Sequence, residues 1–389
     1  MGFVYPVFLS KMAPTTKRIK ILFTIPNFDT AGSGKALLHV AKRLDPQQFE
    51  VHIACFHDRG SFFKVVVDSG IPVHIIQYTT AMKPYNKGLL NCYKISRMLK
   101  KIQPDIIHSF HYAADYSEAL AARIAGIKWV YTKKNMSWGG SSKNAWNLRT
   151  RLASAIAVQN TDMMRQFFNQ SKKAILIPRG VDTTVFEPLP ANETIKKEWQ
   201  ISSTDRVLMC VANMVPVKGI EILLKAFAKA VVKHPNWKLL LVGDYNNDYG
   251  KNLLDLQKEL NLNKEVIFCG KQPNIVDYLS IAEIFVLPTL NEGRKEGSPV
   301  SLLEAMAASK NVLASNVSGI NDQLSDFQEH LLEAGNIEVW ASTLDRNFSL
   351  SKEHHQNLGE NFRKHVLQNY PIELEVKRCE QLYLKLYES

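Results

Sequence analysis

Short apolar runs rich in β-branched residues alternate along the chain with longer segments in which apolar residues recur every three or four positions. The short runs predict buried strands and the longer segments predict amphipathic helices, and their alternation is typical of βαβ units with parallel sheets. A helix is predicted over Gly34–Leu44, between the first two strands. The predicted strands of the first half are Ile19–Ile25, Val51–Phe56, Val73–Gln77, Asp105–Ser109, Trp129–Thr132, Ala155–Val158 and Ala174–Pro178.

The polar stretch Glu187–Asp205 contains two prolines and several turn-forming residues, so we place a domain boundary there. The alternation then restarts. Predicted strands follow at Val207–Val211, Leu239–Gly243, Val266–Cys269, Ile284–Leu287 and Asn311–Ala314. Predicted helices follow at Gly219–Val232, Asn252–Leu260, Ile275–Ile281, Ser301–Ala308 and Ile372–Tyr387. The chain is therefore predicted to form two doubly wound α/β domains, residues 1–188 and 189–371.

The composition is that of a globular protein, because 46% of the 389 residues are hydrophobic and 22% are charged. The apolar runs stop well short of the roughly 20 residues that a membrane-spanning helix needs. Five widely spaced cysteines without a C-x-x-C pair predict neither a disulfide framework nor a zinc site, and a reducing, cytoplasmic environment fits them best.

The positive charge is concentrated in the first half of the chain. Residues 1–190 contain 26 of the 48 Lys and Arg residues but only 11 of the 37 Asp and Glu residues. Such asymmetry indicates an anionic partner: nucleic acid, acidic lipid or a phosphate-bearing substrate. A basic surface that only aids solubility is the alternative interpretation.

Two places in the first half are candidate binding positions. Gly32 and Gly34 follow the first strand and open a helix, where small residues let a ligand approach the backbone N–H groups. A Rossmann fingerprint would need glycine at Leu37, so a dehydrogenase is disfavoured, and a tight turn without a ligand remains an alternative. His108 and His111 end another strand. Each is either a structural residue or a site residue, and metal binding is disfavoured because no third ligand is in register.

The second half offers one cation at a predicted strand end and two carboxylates near a loop-to-helix junction. Lys218 precedes a helix after the first strand of this half, at the edge of an open sheet where ligands bind. Glu296 lies in a loop and Glu304 lies on the following apolar helix, where a buried carboxylate needs a partner such as a ligand hydroxyl. The alternatives are a surface lysine in a turn and an exposed helical glutamate.

Together these residues resemble the retaining, nucleotide-sugar-dependent glycosyltransferases of family 4 (group 1), which have the GT-B fold of two facing Rossmann-like domains. The likeness extends from about Ile19 to Tyr387, and its most specific element is the E-x7-E motif, Glu296 to Glu304. It is supported by the segments Pro104–His108, Ile177–Asp182, Pro216–Gly219, Val242–Asp244 and Leu287–Thr289.

The resemblance implies that the second domain binds the donor. Lys218 is then expected to neutralise the diphosphate, Glu304 to hold the ribose hydroxyls and Glu296 to contact the transferred sugar. The other expected donor-binding residues of this domain are Asn213, Gly243, Gln272, Gly297, Ser298, Pro299 and Val300. The family often has arginine where this chain has Asn213, so one positive charge is missing, and Arg294 or Lys295 is a candidate to replace it.

The resemblance also implies that Gly32 and Gly34 of the first domain face the diphosphate, with His111, or alternatively His108, near the reacting end of the sugar. Catalysis is expected from Glu296, His111 and Lys218, with retention at the anomeric carbon and without a metal or other cofactor. The helix Ile372–Ser389 is expected to cross back onto the first domain.

The expected function is transfer from a UDP- or GDP-sugar to a glycan or glycolipid, in the synthesis of cell-surface polysaccharide or lipopolysaccharide. A catalytically weak GT-B binding protein and a nucleotide-sugar epimerase are the alternatives. Nucleic acid is no longer the expected partner. The basic half is instead expected to meet an anionic acceptor or the inner face of the cytoplasmic membrane. The residues expected to do so are Lys83, Lys87, Lys94, Arg97, Lys100 and Lys101.

Overall fold

A computed structural model describes residues 17–29, 31–60, 62–138, 142–292 and 296–389. Its first sheet has seven parallel strands in the order β3-β2-β1-β4-β5-β6-β7. The strands are β1 Ile19–Thr24, β2 Phe49–Cys55, β3 Val73–Ile75, β4 Ile106–Ser109, β5 Lys128–Lys133, β6 Ala155–Val158 and β7 Ala174–Leu176. The order reverses between β1 and β4, which is where doubly wound sheets open a crevice for ligands.

The second sheet has six parallel strands in the order β10-β9-β8-β11-β12-β13. These strands are β8 Arg206–Val211, β9 Trp237–Val242, β10 Val266–Gly270, β11 Ile284–Leu287, β12 Asn311–Ser315 and β13 Leu331–Leu332. Here the order reverses between β8 and β11. The two sheets confirm the predicted fold class. The two-residue β13 was not predicted, because so short a strand leaves no pattern in the sequence.

Fifteen α-helices lie within the described ranges. Those of the first half are α1 Ala31–Ala41, α2 Phe63–Val67, α3 Tyr85–Ile102, α4 Ser117–Ala125, α5 Lys143–Leu152 and α6 Thr161–Phe168. Those of the second half are α7 Glu193–Glu198, α8 Ile220–Val231, α9 Asp248–Glu259, α10 Ile275–Ile281, α11 Val300–Ala307, α12 Ile320–Gln323, α13 Ile337–Phe348, α14 Lys352–Asn369 and α15 Ile372–Glu388. None of them is both long and apolar enough to span a membrane.

Each sheet is buried on both faces, as parallel sheets normally are. In β1, Ile21 and Phe23 belong to one apolar cluster and Leu22 belongs to another. In β8, Met209 and Leu208 likewise belong to two different apolar clusters. Helices therefore cover both faces of each sheet, and the loops at the carboxyl ends of the strands are left to form a site.

Helix α15 returns to the first domain, as expected. Val376 and Tyr383 are buried in the core cluster that contains β1. The Arg179 guanidinium forms a buried ion pair of 2.5 Å with Glu375, whose other carboxylate oxygen accepts the Gly180 N–H at 2.7 Å. The chain end thus ties the two domains together beside the linker.

Candidate active site

The turn that carries Lys218 is fixed by close backbone packing. A 3-10 turn at Pro216–Lys218 follows β8 and ends at Gly219, which has a left-handed φ of 63°. A Cβ on Gly219 would lie 2.2 Å from the carbonyl oxygen of Pro288, so only glycine fits against the end of β11. The turn therefore holds Lys218 at the carboxyl edge of the second sheet.

Lys218 and Glu296, two of the predicted site residues, form an ion pair across 78 positions of sequence. Both side chains are partly buried, so the pair is shielded more than a surface pair would be. The candidate replacements for the missing arginine, Arg294 and Lys295, lie outside the described residues.

Glu304 lies in α11, and its carboxylate has no hydrogen-bond or ion-pair partner among the described residues. Burial raises the pKa of Glu304 to about 7, and the positive charge of Lys35 on α1 lowers it in part. A ligand hydroxyl that donates a hydrogen bond to this buried carboxyl group would strongly stabilise its ionised form. Lys35 belongs to the first domain, so the charge acts across the cleft.

The segment between the two glutamates is held at Ser298 and Pro299 by Gln323 of α12. The Gln323 amide donates to Ser298 Oγ at 3.0 Å and to the Pro299 carbonyl at 3.2 Å. Pro299 directly precedes α11, and no side chain in the described part of the chain caps the first N–H groups, which begin at Val300. These N–H groups are available to an anion.

The remaining donor-binding candidates of this domain lie at the ends of neighbouring strands. Asn213 follows β8 and is exposed. Gly243 follows β9, and a Cβ there would lie 1.8 Å from the carbonyl oxygen of Ala212. Gln272 follows β10 and donates to the Cys269 carbonyl at 2.5 Å, so its amide braces its own loop.

The two glycines of α1 differ in their surroundings. A Cβ on Gly34 would lie 2.9 Å from the Phe28 ring, so packing alone accounts for glycine there. A Cβ on Gly32 would meet nothing within 4 Å. Gly32 is exposed, so packing does not account for glycine at this position.

The two candidate histidines have different environments. His108 is buried, and its ring nitrogens lie 2.6 Å from Tyr383 Oη and 2.9 Å from Thr132 Oγ1. His111 has a buried Nδ1 without a partner among the described atoms. Burial, together with nearby positive charges, lowers the pKa of each to about 3, so both rings are neutral at physiological pH. This geometry favours His111 as the site residue.

The loop at Gly297, between Glu296 and α11, is called the donor loop below. The sequence reasoning missed the first-domain residues that contact it. A Cβ on Gly297 would lie 1.9 Å from the carbonyl oxygen of Lys134, which follows β5. Asn160, which follows β6, donates to the Gly297 carbonyl at 2.6 Å. Lys134 also donates to the Phe110 carbonyl and, at 3.2 Å, to Ser33 Oγ. The rule that strand ends share one sheet edge, already applied to His108, would have pointed to them.

Comparison with known proteins matches this architecture in both halves. The family model for glycosyl transferases group 1 matches residues 191–365, and the model for glycosyltransferase family 4 matches residues 30–185. Some relatives are similar to this chain over nearly their whole length, at low sequence identity. N-acetyl-alpha-D-glucosaminyl L-malate synthase of Bacillus anthracis is 27% identical, with 90% of this chain and 93% of that protein covered.

A second relative is the UDP-Gal:alpha-D-GlcNAc-diphosphoundecaprenol alpha-1,3-galactosyltransferase of Escherichia coli, 24% identical with 96% and 99% covered. Among solved structures, HepE of Anabaena in complex with UDP and glucose superposes with a TM-score of 0.80 at 20% identity, with 94% of this chain and 99% of that chain covered. At this identity the superposition shows the fold, which is that of GT-B proteins.

Proposed function

Because the chain belongs to the group 1, family 4 glycosyltransferases, we propose that it transfers a hexose-type sugar from a nucleoside-diphosphate donor to a glycan or lipid-linked acceptor, with retention of anomeric configuration. The proposal rests on one observation above all. Glu296 pairs with Lys218 at the carboxyl edge of the second sheet, and Glu304, eight positions later on α11, has a carboxylate without a partner among the described residues.

The proposed donor roles follow from charge and hydrogen-bonding capacity. Lys218 and the N–H groups at the start of α11 offer positive charge and donors to a diphosphate. Glu304 offers acceptors to the ribose hydroxyls. Glu296, released from Lys218 as the diphosphate arrives, offers acceptors to the hydroxyls of the sugar.

The proposed transfer occurs on one face of the sugar. The acceptor oxygen bonds to the anomeric carbon as the bond from that carbon to the diphosphate oxygen breaks, and the acceptor proton passes to the departing diphosphate. His111 is neutral, so it contributes a hydrogen bond near the reacting carbon rather than a charge. Lys218 stabilises the negative charge that develops on the leaving group, and we propose that no metal ion is needed.

Among donors we propose a UDP-sugar, because the structural relative HepE was solved with UDP and glucose. The E. coli relative acts on a diphosphoundecaprenol-linked acceptor, and other relatives act in capsule and lipopolysaccharide synthesis. We therefore propose that the protein acts at the cytoplasmic face of a membrane, in the assembly of a surface polysaccharide. A binding protein without turnover is the competing proposal, favoured by Asn213 in place of the usual arginine.

Calorimetry with UDP and GDP, followed by NMR of the anomeric proton during consumption of UDP-glucose, tests the function. Wild-type protein should bind UDP and release an α-configured product. Glu304→Ala should weaken UDP binding by about tenfold or more, the loss expected for one charge-assisted hydrogen bond. Glu338→Ala, a change at an exposed glutamate of α13, is the matched control. Unchanged UDP affinity in Glu304→Ala, with no donor consumed by wild-type protein, would contradict the proposal.

A further inference from the structure

Helix α3 of the first domain presents apolar side chains to solvent. Tyr85, Leu89, Leu90 and Tyr93 are each more than half exposed. The face that packs on the domain is already supplied by other residues of the helix, among them Cys92, Ile95 and Leu99. The exposed apolar residues are therefore not needed to hold the helix in place, and an unburied group of this kind marks an interaction surface.

The same helix is strongly basic. Its 18 residues include five Lys or Arg residues and no Asp or Glu. All five are exposed. They are Lys87, Lys94, Arg97, Lys100 and Lys101. At 100° per residue these positions interleave with Leu89, Leu90 and Tyr93 on the solvent-facing side, so apolar and basic groups share one surface. We call these five residues, with Tyr85, Leu89, Leu90 and Tyr93, the α3 surface.

We infer that the α3 surface binds an anionic lipid bilayer, an inference that rests on the proposed function and deepens it. An acidic protein or a nucleic acid would satisfy the lysines, but it would leave the leucines without a partner. A bilayer interface satisfies both, because tyrosine and leucine side chains enter the boundary between head groups and acyl chains while the basic groups stay among the phosphates. Each basic residue near such a surface adds a favourable attraction to the anionic head groups.

The segment that precedes α3 lines a cavity of the first domain, and the first turns of α3 pack against that segment. The cavity has a volume of about 480 Å³ and is lined by residues 79–82 and 114–116. Asn91 of α3 donates to Thr80 Oγ1 at 3.2 Å, and a Cβ on Gly88 would lie 2.5 Å from the Met82 carbonyl oxygen. The α3 surface and the cavity wall are thus held rigidly together.

The cavity is also adjacent to His111. Tyr78, next to the lining residue Thr79, has its ring 6.2 Å from the His111 ring, and Ala114 follows His111 by three positions. On this inference, the polar end of an acceptor anchored in a bilayer at α3 enters this cavity, next to the residue whose ring contacts His111. The inferred acceptor is an amphiphile that stays in the membrane while its polar end is glycosylated.

Vesicle sedimentation of the full chain tests the surface. Wild-type protein should bind vesicles of phosphatidylglycerol and phosphatidylcholine and should bind pure phosphatidylcholine at least about tenfold more weakly. Leu89→Ser/Leu90→Ser and Lys94→Glu/Arg97→Glu should each lose most of this binding, the first by removing apolar contact and the second by reversing charge. Lys251→Glu/Lys258→Glu, at exposed lysines of α9 in the second domain, is the matched control and should bind as wild type does.

UDP calorimetry on the same proteins separates this inference from the proposed function. Normal UDP binding without vesicle binding in wild-type protein overturns the α3 inference and leaves the proposed function intact. Absent UDP binding counts against the proposed function whatever the vesicles show. Equal binding to both vesicle types, or unchanged binding in either α3 variant, also overturns the inference.

A cavity-filling variant tests the role of the cavity. Ala81 is exposed and lines the cavity, so Ala81→Trp fills the space without disturbing the core. It should retain vesicle and UDP binding but lose transfer of radiolabel from the UDP-sugar to organic-extractable lipid in a bacterial membrane extract. Transfer at the wild-type rate would overturn the role of the cavity.

Discussion

The side-chain amide of Asn160 joins the two domains at the donor loop, because its Nδ2 donates to the carbonyl oxygen of Gly297 at 2.6 Å in a buried position. The same side chain accepts the Met163 N–H at 2.7 Å and so caps α6. One residue of the first domain thereby sets the place of the loop between the two glutamates. Asn160 is a positioning residue for Glu296 and needs no contact with the donor.

Asn160→Ser should separate these two roles. Serine is as good an N-cap as asparagine, so α6 should stay intact, whereas the longer amide donor to Gly297 is lost. A buried carbonyl left without its donor costs about 1–3 kcal/mol. We expect kcat/KM for the donor to fall by about tenfold or more, since each 1.4 kcal/mol is a factor of ten. Steady-state kinetics and thermal unfolding of the same sample measure both effects.

The matched control is Asn192→Ser. Asn192 caps α7 in the same way, accepting the N–H groups of Thr194 and Ile195, but it has no bond to the donor loop. Its kinetics should remain those of wild type. Equal losses of activity in both variants would show that cap strength matters and that the bond to Gly297 does not.

Gly32→Ala should change activity without harming the fold. A Cβ at Gly32 meets nothing within 4 Å, and alanine favours a helix over glycine by about 1 kcal/mol. The free energy of unfolding should therefore be unchanged or slightly higher. The added methyl group would occupy space proposed for the diphosphate, so UDP affinity should drop. Calorimetry measures the UDP affinity, and denaturant unfolding measures the free energy of unfolding. If Gly32→Ala binds UDP with the affinity of wild-type protein, Gly32 is not part of the proposed site.

The sheets, and most strand bounds, could be predicted from the sequence because buried parallel strands are continuous apolar runs. Lys218 could be selected as a candidate because it follows a predicted strand, and Glu296 and Glu304 because they lie eight positions apart at a loop-to-helix junction. Contacts between domains were beyond such reasoning. The bond from Asn160 to Gly297 spans 137 positions, and its formation depends on the angle between two sheets, which no local pattern encodes.

Donor affinity should depend on pH through Glu304. Its pKa of about 7 means that the carboxyl is largely protonated at pH 6 in the free protein. Ribose hydroxyls donate to the carboxylate form, so binding lowers this pKa and requires loss of the proton. The affinity for UDP-glucose, whose phosphates do not titrate in this range, should therefore fall by up to about tenfold per pH unit below 7. Calorimetry between pH 6 and pH 8 measures it.

Glu304→Gln should flatten this pH dependence while binding more weakly at pH 8. The site histidines do not interfere, because both have pKa values of about 3. Burial lowers the pKa of Lys133 to about 7, and its ammonium donates to the Ser137 carbonyl at 2.6 Å. Protonation of Lys133 at low pH adds positive charge and so favours an anionic donor, which is the opposite direction. A loss of affinity below pH 7 that survived unchanged in Glu304→Gln would contradict the assignment to Glu304.

The two histidines should respond in opposite ways to replacement by alanine. His108→Ala removes a hydrogen-bond partner from each of the Tyr383 and Thr132 hydroxyls inside the core, and each lost buried bond costs about 1–3 kcal/mol. The unfolding midpoint of His108→Ala should therefore fall. The fraction of this variant that remains folded should have an unchanged KM for the donor. His111→Ala removes a ring that already has an unpaired nitrogen, so stability should change little while kcat falls. Kinetics and unfolding of both variants decide between them: loss of kcat with normal stability in His108→Ala would transfer the proposed role to that residue.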